Sequence, residues 1–386
     1  MGNLMSKAAA SILDNPEKIR LIDKSNMLAF CMNAAGHYRE AAKIAEQLSV
    51  SYKIAKHLSV SYNHVDNVVV AGMGGSAIGG ELLKDWASSK VQVPIDVCRA
   101  YELPAYAHEH TLVVLVSYSG ETEETLSAFL DAVKRGCMVF CVSSGGSLLR
   151  FAEKLDLPHI RVPSGFPPRA ALPYLFVPLL MLLENTRLVA GVHEELAEAL
   201  PLLERICREN AADVPVKDNF AKKLALGIAG TVPVVYGFGF YRGVAQRFKQ
   251  QFNENSKVPS KWEFLPELNH NEIVGWEKAD KLAKCFSAIF LRDRDEPSEV
   301  RSRIEITQEL MPAASKHFEV WAQGRSVLAR MLSAVCIGDF TSVYLAVLRN
   351  VDPTPVANIT LLKEKMRQSG TKEKIICALE RLAASR

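Results

Sequence analysis

The residues of this chain best suited to chemistry lie in a glycine-rich turn that follows three consecutive valines at 68–70. Such a β-branched run suits a strand that is buried on both faces. Gly72, Gly74 and Gly75 then allow the backbone to turn sharply and to approach a ligand with no Cβ in the way. Ser76 stands where the N-cap of the following helix is expected. Because free N–H groups at a helix start favour anions, the turn is a candidate site for a phosphate or a carboxylate.

The turn alone leaves three interpretations open. The spacing Gly72-x-Gly74-x-x-Ala77 fits a relaxed dinucleotide fingerprint, and Asp96 lies near the distance expected of a ribose-binding acid. The same turn suits a sugar phosphate equally well, or it serves only as a tight structural turn.

A second loop of similar composition follows the strand-like residues 112–116. It places Ser117, Ser119 and Thr122 before a predicted helix, so a bound phosphate would receive hydroxyl and backbone N–H donors together. The alternative is a capping box, in which the hydroxyls between Ser119 and Thr122 only cap that helix. Two such loops at adjacent strand ends favour an anion site more strongly than either loop alone.

Five blocks of sequence, taken in order, resemble the bifunctional phosphoglucose/phosphomannose isomerases, which are sugar isomerase (SIS) domain proteins. The blocks are VVVAGMGGSAIGGELL at 68–83, LVVLVSYSGETEETL at 112–126, PRAALPY at 168–174, NEN at 253–255 and LNHNE at 268–272. The resemblance implies two SIS domains, an active site at the domain and dimer interface, and chemistry that uses no metal and no nicotinamide cofactor. It implies interconversion of fructose 6-phosphate with glucose 6-phosphate, and with mannose 6-phosphate as a second substrate.

The resemblance also implies roles for individual residues. The positions that match the family's phosphate-binding residues are Gly74, Gly75, Ser76, Ser117, Ser119 and Thr122. Arg169 matches an arginine that faces the developing enediolate. A fixed guanidinium there would stabilise the negative charge that proton removal places on oxygen. The alternative for Arg169 is a surface ion pair.

Three further matched positions carry proton chemistry. Glu254 matches the base that moves a proton between C1 and C2, a role that partial burial would favour by raising its pKa; the alternative is a solvated helix end. His270 matches the histidine that opens the sugar ring, and in relatives it comes from the neighbouring subunit, which implies a homodimer. Otherwise it is a hydrogen-bonded loop residue. Lys363 matches the lysine that assists ring opening, with Lys365 on a different helix face as the competing choice.

Two other functions remain open. A non-catalytic SIS regulator that senses a sugar phosphate would usually carry a DNA-reading helix pair, and the N-terminal segment shows no evident recognition helix or basic face. An NAD-dependent dehydrogenase built on the first turn would leave the loop at 117–125 without a purpose.

Strand-like and helix-like segments alternate from residue 68 onwards, which predicts an α/β fold with parallel sheets flanked by helices, of the flavodoxin-like doubly wound type. Ligands then bind at the carboxyl ends of the strands. We predict an N-terminal helical segment at 1–62, a first SIS domain at 63–190, a helical connection at 191–218 and a second SIS domain with a C-terminal helix at 219–386.

Composition limits the class of protein. The chain has 386 residues and a formal charge of +3 with no dense Lys/Arg block, which argues against a general nucleic-acid binder. Its eight cysteines lie mostly in apolar runs without C-x-x-C spacing, so we expect buried free thiols in a reducing cytoplasm. The residues at the start of the sequence predict no secretory signal, and the apolar run at 172–183 is too short to span a membrane.

Overall fold

The structure is a computed structural model that describes residues 9–50, 64–278, 280–311 and 316–385, with only the backbone at 47–50 and 280. The described residues form two compact units. The first-sheet unit comprises residues 36–192 and 356–386, and the second-sheet unit comprises residues 1–35 and 193–355.

Helices account for most of the described chain. In chain order they are α1 (Pro16–Ile22), α2 (Met27–Met32), α3 (Ala34–Val50), α4 (Gly75–Ala87), α5 (Glu123–Lys134), α6 (Gly146–Lys154), α7 (Leu172–Asn185), α8 (Val192–Glu209), α9 (Phe220–Ile228), α10 (Arg242–Glu254), α11 (Glu272–Gly275), α12 (Asp280–Ala283), α13 (Ser298–Leu310), α14 (Val327–Leu348), α15 (Ala357–Arg367) and α16 (Thr371–Ala384). Short 3-10 turns cover Gly239–Tyr241 and Glu267–His270.

The first-sheet unit is built on five parallel strands in the order β2-β1-β3-β4-β5. The strands are β1 (Asn67–Ala71), β2 (Ile95–Cys98), β3 (Thr111–Val116), β4 (Met138–Ser143) and β5 (His159–Arg161). Every residue of β1, β3 and β4 is buried, as their apolar runs predict. This strand order is the flavodoxin-like one, so the predicted fold class is confirmed for this unit.

The second-sheet unit is built on four parallel strands in the order β7-β6-β8-β9. They are β6 (Val232–Phe238), β7 (Lys261–Leu265), β8 (Phe286–Arg292) and β9 (Lys316–Trp321). The segments of β6, β8 and β9 read as strands in the sequence. Strand β7 escaped prediction because it is a short edge strand whose residues mix charged and apolar types and are mostly only half-buried.

Helix α14 is the core helix of the second-sheet unit. Among the described residues it is the one helix long and apolar enough to cross a membrane, but 89% of its most apolar window is buried inside the fold. It packs against α9 and α10. Of the cysteines, all but Cys285 and Cys377 are buried, and all are free, as expected.

The units to which the two ends of the chain belong differ from the predicted domain boundaries. Helix α16 packs on α5 and α6 of the first-sheet unit, where Ile375 and Leu379 enter the hydrophobic core. Residues 356–386 therefore belong with the first sheet, not with the second domain predicted at 219–386. The predicted N-terminal segment is also divided, since α1 and α2 lie in the second-sheet unit and most of α3 in the first-sheet unit. Residues 1–8 and 51–62 of the predicted segment lie outside the described residues.

Candidate functional site

The glycine-rich turn after β1 leads directly into α4. Gly74 is the N-cap of α4 with a φ of +52°, and no side chain caps the helix. Ser76 is therefore inside the first turn, and its predicted role as N-cap is wrong: the helix begins earlier because Gly74 makes the turn. The Ser76 hydroxyl instead accepts a hydrogen bond from the Tyr118 N–H at 3.1 Å, which joins the first loop to the second.

The second loop lies between β3 and α5. Ser117 is completely buried, and its Oγ donates to Oγ1 of Thr122 at 2.9 Å. Thr122 occupies the N-cap position of α5, but its side chain makes no capping hydrogen bond. The Oγ of Ser119 accepts from the Glu121 N–H at 3.2 Å. The capping-box alternative is therefore not observed at Thr122, and the first-turn N–H groups of α5 are not capped by a side chain.

A third loop, at 143–147 after β4, interlocks with the second and was missed in the sequence. A Cβ at Gly120 would lie 1.9 Å from the carbonyl oxygen of Gly145, and one at Gly146 would lie 2.4 Å from that of Ser119. The Ser144 hydroxyl donates to the Tyr118 carbonyl at 2.6 Å. The signal available in the sequence was SSGGS directly after a buried strand, the same pattern of hydroxyls and glycines.

Glu121 ties this loop cluster to the C-terminal helix. Its Oε1 accepts from the N–H and the Oγ of Ser147 at 2.7 and 2.9 Å, and its other oxygen pairs with Lys372 of α16. Burial alone would raise the pKa of Glu121, but hydrogen bonds from Lys372 and Ser147 outweigh it and hold the pKa below its ordinary value. Pairing with Lys372 also offsets a negative charge that would otherwise repel an anion from the loops.

Arg169 lies in the turn that precedes α7. It is only 3% exposed, so the alternative of a surface ion pair does not hold. A Cβ at Gly75 would lie 2.9 Å from the Pro168 carbonyl oxygen and 3.1 Å from the Arg169 nitrogen. The backbone at Arg169 is thus in contact with the first loop. The first-sheet unit brings together the glycine turn, the hydroxyl loop and the backbone of this buried arginine.

Glu254 is the last residue of α10, in the second-sheet unit, and it is half-buried. The residues that follow are held firmly. Lys257 Nζ donates to the backbone carbonyls of Glu254 and Pro353, the latter at 2.8 Å. Asn255 Nδ2 donates to Ser342 Oγ at 2.8 Å.

The other two residues predicted for proton chemistry are exposed. His270 ends the 3-10 turn Glu267–His270 of the second-sheet unit. Lys363 and its competitor Lys365 both lie on α15 of the first-sheet unit, a helix without buried residues. Exposure alone does not choose between the two lysines.

The dinucleotide interpretation finds no support in the geometry of its residues. Asp96, the supposed ribose ligand, accepts from Lys84 Nζ at 2.8 Å and from the Tyr106 hydroxyl at 2.6 Å. These hydrogen bonds lower its pKa. A Cβ at Gly72 would lie 2.8 Å from the Val116 carbonyl oxygen, so this glycine is needed for the packing of the chain on itself.

No group of three or more His, Cys, Asp or Glu side chains within the described ranges is arranged to hold a metal ion.

Comparison with known proteins identifies relatives over nearly the whole chain. Residues 217–366 match the family described as the bacterial phospho-glucose isomerase C-terminal SIS domain. The chain is 40% identical to a bifunctional phosphoglucose/phosphomannose isomerase from Caldicellulosiruptor bescii, over 87% of this chain and 97% of that protein. It is 36% identical to the protein of the same name from Thermoplasma acidophilum, over 78% of this chain and 89% of that protein.

Solved structures share the fold at much lower identity. A hypothetical protein from Thermus thermophilus aligns with a TM-score of 0.72 and 16% identity, over 94% of this chain and 96% of that one. A glucose-6-phosphate isomerase from Chlamydia trachomatis aligns with a TM-score of 0.69 and 14% identity, over 94% of this chain and 85% of that one. These likenesses extend the agreement in fold to both sheets.

Proposed function

This chain belongs to the bifunctional phosphoglucose/phosphomannose isomerase family, and from that premise we propose that it interconverts glucose 6-phosphate and mannose 6-phosphate with fructose 6-phosphate. The observation that carries the proposal is the convergence of two glycine- and hydroxyl-bearing loops with the turn of a buried arginine in the first-sheet unit. A sugar phosphate presents the two charges that such a site needs: a phosphoryl dianion and, during reaction, an enediolate.

In this proposal the phosphoryl group is bound by the two loops. The first-turn N–H groups of α4 and α5 are not capped by a side chain. They form the positive ends of the two helix dipoles and face the phosphoryl group. Hydroxyl and backbone donors come from Gly74, Gly75, Ser76, Ser117, Ser119 and Thr122. Anchoring of the phosphate holds the sugar carbons at a fixed place, which converts much of the binding energy into orientation.

Ring opening in this proposal uses His270 together with Lys363. Imidazole donates and accepts protons near pH 7, which suits transfer between the ring oxygen and the anomeric hydroxyl. The exposure of His270 supports a contribution from the second subunit of a homodimer, where a residue exposed in one chain becomes part of the partner's site. Lys363 would contact the ring oxygen, with Lys365 as the alternative.

Isomerisation itself is a proton transfer between C1 and C2 through a cis-enediol. Glu254 takes the proton from one carbon and returns it to the other, while the Arg169 guanidinium stabilises the charge on the oxygens. The half-buried Glu254 is suited to this role, because Lys257 holds its backbone carbonyl at the helix end while the side chain remains partly accessible. The free buried thiols support a cytoplasmic location for the enzyme.

The decisive experiment replaces Glu254 with Gln. We expect substrate binding to be largely retained, kcat to fall by about 10²- to 10⁴-fold, and exchange of the C2 proton with solvent to be lost, because an amide cannot accept the proton. Deuterium incorporation followed by NMR measures this. Glu305→Gln, an exposed carboxylate of α13 in the same unit, is the matched control and should behave as wild type. Normal exchange in E254Q would remove Glu254 as the base.

A regulator without catalysis is the second candidate, since the anion site would serve it equally well. A coupled assay for glucose 6-phosphate formation from fructose 6-phosphate, repeated with mannose 6-phosphate, separates the two. Absence of turnover with retained sugar-phosphate binding would favour the regulator.

A further inference from the structure

The side chain of Tyr118 holds a segment far from it in sequence. Its hydroxyl accepts a hydrogen bond from the Phe166 N–H at 2.8 Å and donates one to the Pro163 carbonyl at 3.0 Å. Tyr118 is buried, and burial raises the pKa of its hydroxyl, so the group keeps the proton that it donates. Both hydrogen bonds fix residues 163–166, three residues before Arg169.

The same segment is held at two further places. The ring of Phe166 packs edge-on against Tyr174 and against His37, with both centroid distances at 5.1 Å. The His37 Nδ1 and the Tyr174 hydroxyl lie 3.0 Å apart. On the other side, Pro168 lies against Gly75 with no room for a Cβ between them. Residues 163–168, which link the hydrogen bonds of Tyr118 to Arg169, are therefore a short stretch of backbone that is held on both sides.

The backbone of Tyr118 has a separate task. Its N–H donates to Ser76 Oγ at 3.1 Å, and its carbonyl accepts from Ser144 Oγ at 2.6 Å. These contacts join the three loops and do not depend on the side chain. Replacement of Tyr118 by Phe would therefore leave the contacts between loops in place and remove only the two hydrogen bonds to residues 163–166.

We propose that Tyr118 is the positioning residue for Arg169. By fixing residues 163–166, the Tyr118 hydroxyl holds the Arg169 guanidinium in place. The inference rests on the proposed function, because it gives Arg169 the task of stabilising the enediolate. Tyr118 itself need not contact the reacting atoms. It connects the loop that binds the phosphate with the turn that carries the charge-stabilising group, so that the two parts of the site keep a fixed separation.

The test is kinetic. In Tyr118→Phe we expect kcat to fall about tenfold, since a displacement of the order of 1 Å in a catalytic group is costly. The KM for fructose 6-phosphate and the inhibition constant of inorganic phosphate should stay within about twofold of wild type, because the phosphate loops are intact. Tyr106→Phe is the matched control: it removes a hydroxyl hydrogen-bonded to Asp96 in the same unit, and its kcat should not change.

A double-mutant cycle separates positioning from a general structural effect. In an Arg169→Lys background, Tyr118→Phe should lower kcat by less than about twofold further, because residues that act as a unit are not additive. Full additivity of the two losses, or a loss in Tyr118→Phe confined to KM, would overturn the proposal. An unchanged kcat in Arg169→Lys alone would instead count against the proposed role of Arg169, so the two failures are distinguishable.

Phe166→Leu provides a second variant should Tyr118→Phe be poorly folded, as judged by its thermal midpoint. It keeps the N–H that donates to Tyr118 and weakens only the aromatic packing of the same segment. We expect a smaller loss in kcat with unchanged phosphate inhibition. A weaker phosphate inhibition with full kcat would contradict the proposal.

Discussion

In the first-sheet unit the loop after β3 carries Ser117, Ser119 and Thr122, whereas in the second-sheet unit the loop after the corresponding strand, β8, carries Asp293, Asp295 and Glu296. Each of the two strands pairs with the first strand of its sheet, β1 or β6, on the side away from the edge strand β2 or β7. The loop after β3 presents hydroxyl groups, and the loop after β8 presents carboxylates.

The carboxylates of the loop after β8 are satisfied within the protein. Asp293 accepts from the Tyr241 hydroxyl at 2.7 Å and from Arg330 at 3.0 Å, and it is almost completely buried. Glu296 accepts from Arg292 Nε at 3.0 Å. The loop after β3 presents hydroxyl groups, whereas the loop after β8 uses its own acids to complete the structure. The chemistry of each loop therefore follows its residues and not the fold, which the two units share.

The largest effect on stability is expected when the buried carboxylate of Asp293 is removed. In Asp293→Ala we expect the free energy of unfolding to fall by about 3–5 kcal/mol, because Arg330 would be left without its buried partner. Urea denaturation measures this. Phosphate affinity of the folded variant should not change.

Asp295 provides the control for that variant. It also pairs with Arg330, at 3.2 Å, but its side chain is 76% exposed. Asp295→Ala should cost less than about 1 kcal/mol. Equal losses in the two variants would mean that burial does not make the Asp293 carboxylate of the loop after β8 more important for stability than the exposed Asp295, and the comparison would fail.

An intermediate effect is expected in the loop after β3. Ser117→Ala should weaken the binding of inorganic phosphate about tenfold, or about 1.4 kcal/mol, because one hydroxyl of the pair with Thr122 is lost. Isothermal titration calorimetry measures it. Ser287→Ala breaks a comparable hydroxyl pair, with Thr231 at 2.7 Å in the second-sheet unit, and should leave phosphate binding unchanged. A loss of affinity in Ser287→Ala would undermine the assignment of the anion site to the first sheet alone.

The smallest effect concerns acid stability at Glu121. Its pKa is lowered in the folded protein, so the ionised form stabilises the fold above the ordinary value of about 4.3, and this stabilisation is lost as the pH falls through the folded pKa. Because the side chain is 40% exposed, we expect it to be worth less than about 1 kcal/mol.

Glu121→Gln should therefore flatten the decline of unfolding free energy with pH below about 4.3. Lys372→Met, which removes the partner, should flatten it in the same direction. Glu109→Gln, an exposed carboxylate outside this contact, is the control and should keep the wild-type slope. A slope in Glu121→Gln equal to that of wild type would show that the ion pair does not stabilise the loop.

Much of this structure could be predicted from local patterns in the sequence. A buried parallel strand is a run of apolar residues, and a glycine turn is a short motif, so β1, β3 and the turns that follow them were predictable from neighbours in the chain. The family blocks added residues that no local pattern could assign, such as Glu254 and His270. Their roles remain predictions until the variants are measured.

Features that depend on distant contacts were not predictable. Ser76 reads as an N-cap from its neighbours, yet its hydroxyl accepts from Tyr118, 42 residues away. The burial of Arg169 depends on where the turn packs, which the two adjacent prolines do not reveal. The attachment of α16 to the first sheet depends on Ile375 and Leu379 finding a core built from the first half of the chain.

The position of α16 has a consequence for synthesis on the ribosome. Most of the first-sheet unit is translated early, but the helix that covers Phe129 and Phe151 in its core is encoded at 371–384. Until then the nascent polypeptide exposes part of that apolar surface while residues 193–355 of the other unit are being made. Co-translational maturation of the two units is therefore interleaved, and the first-sheet unit is completed last.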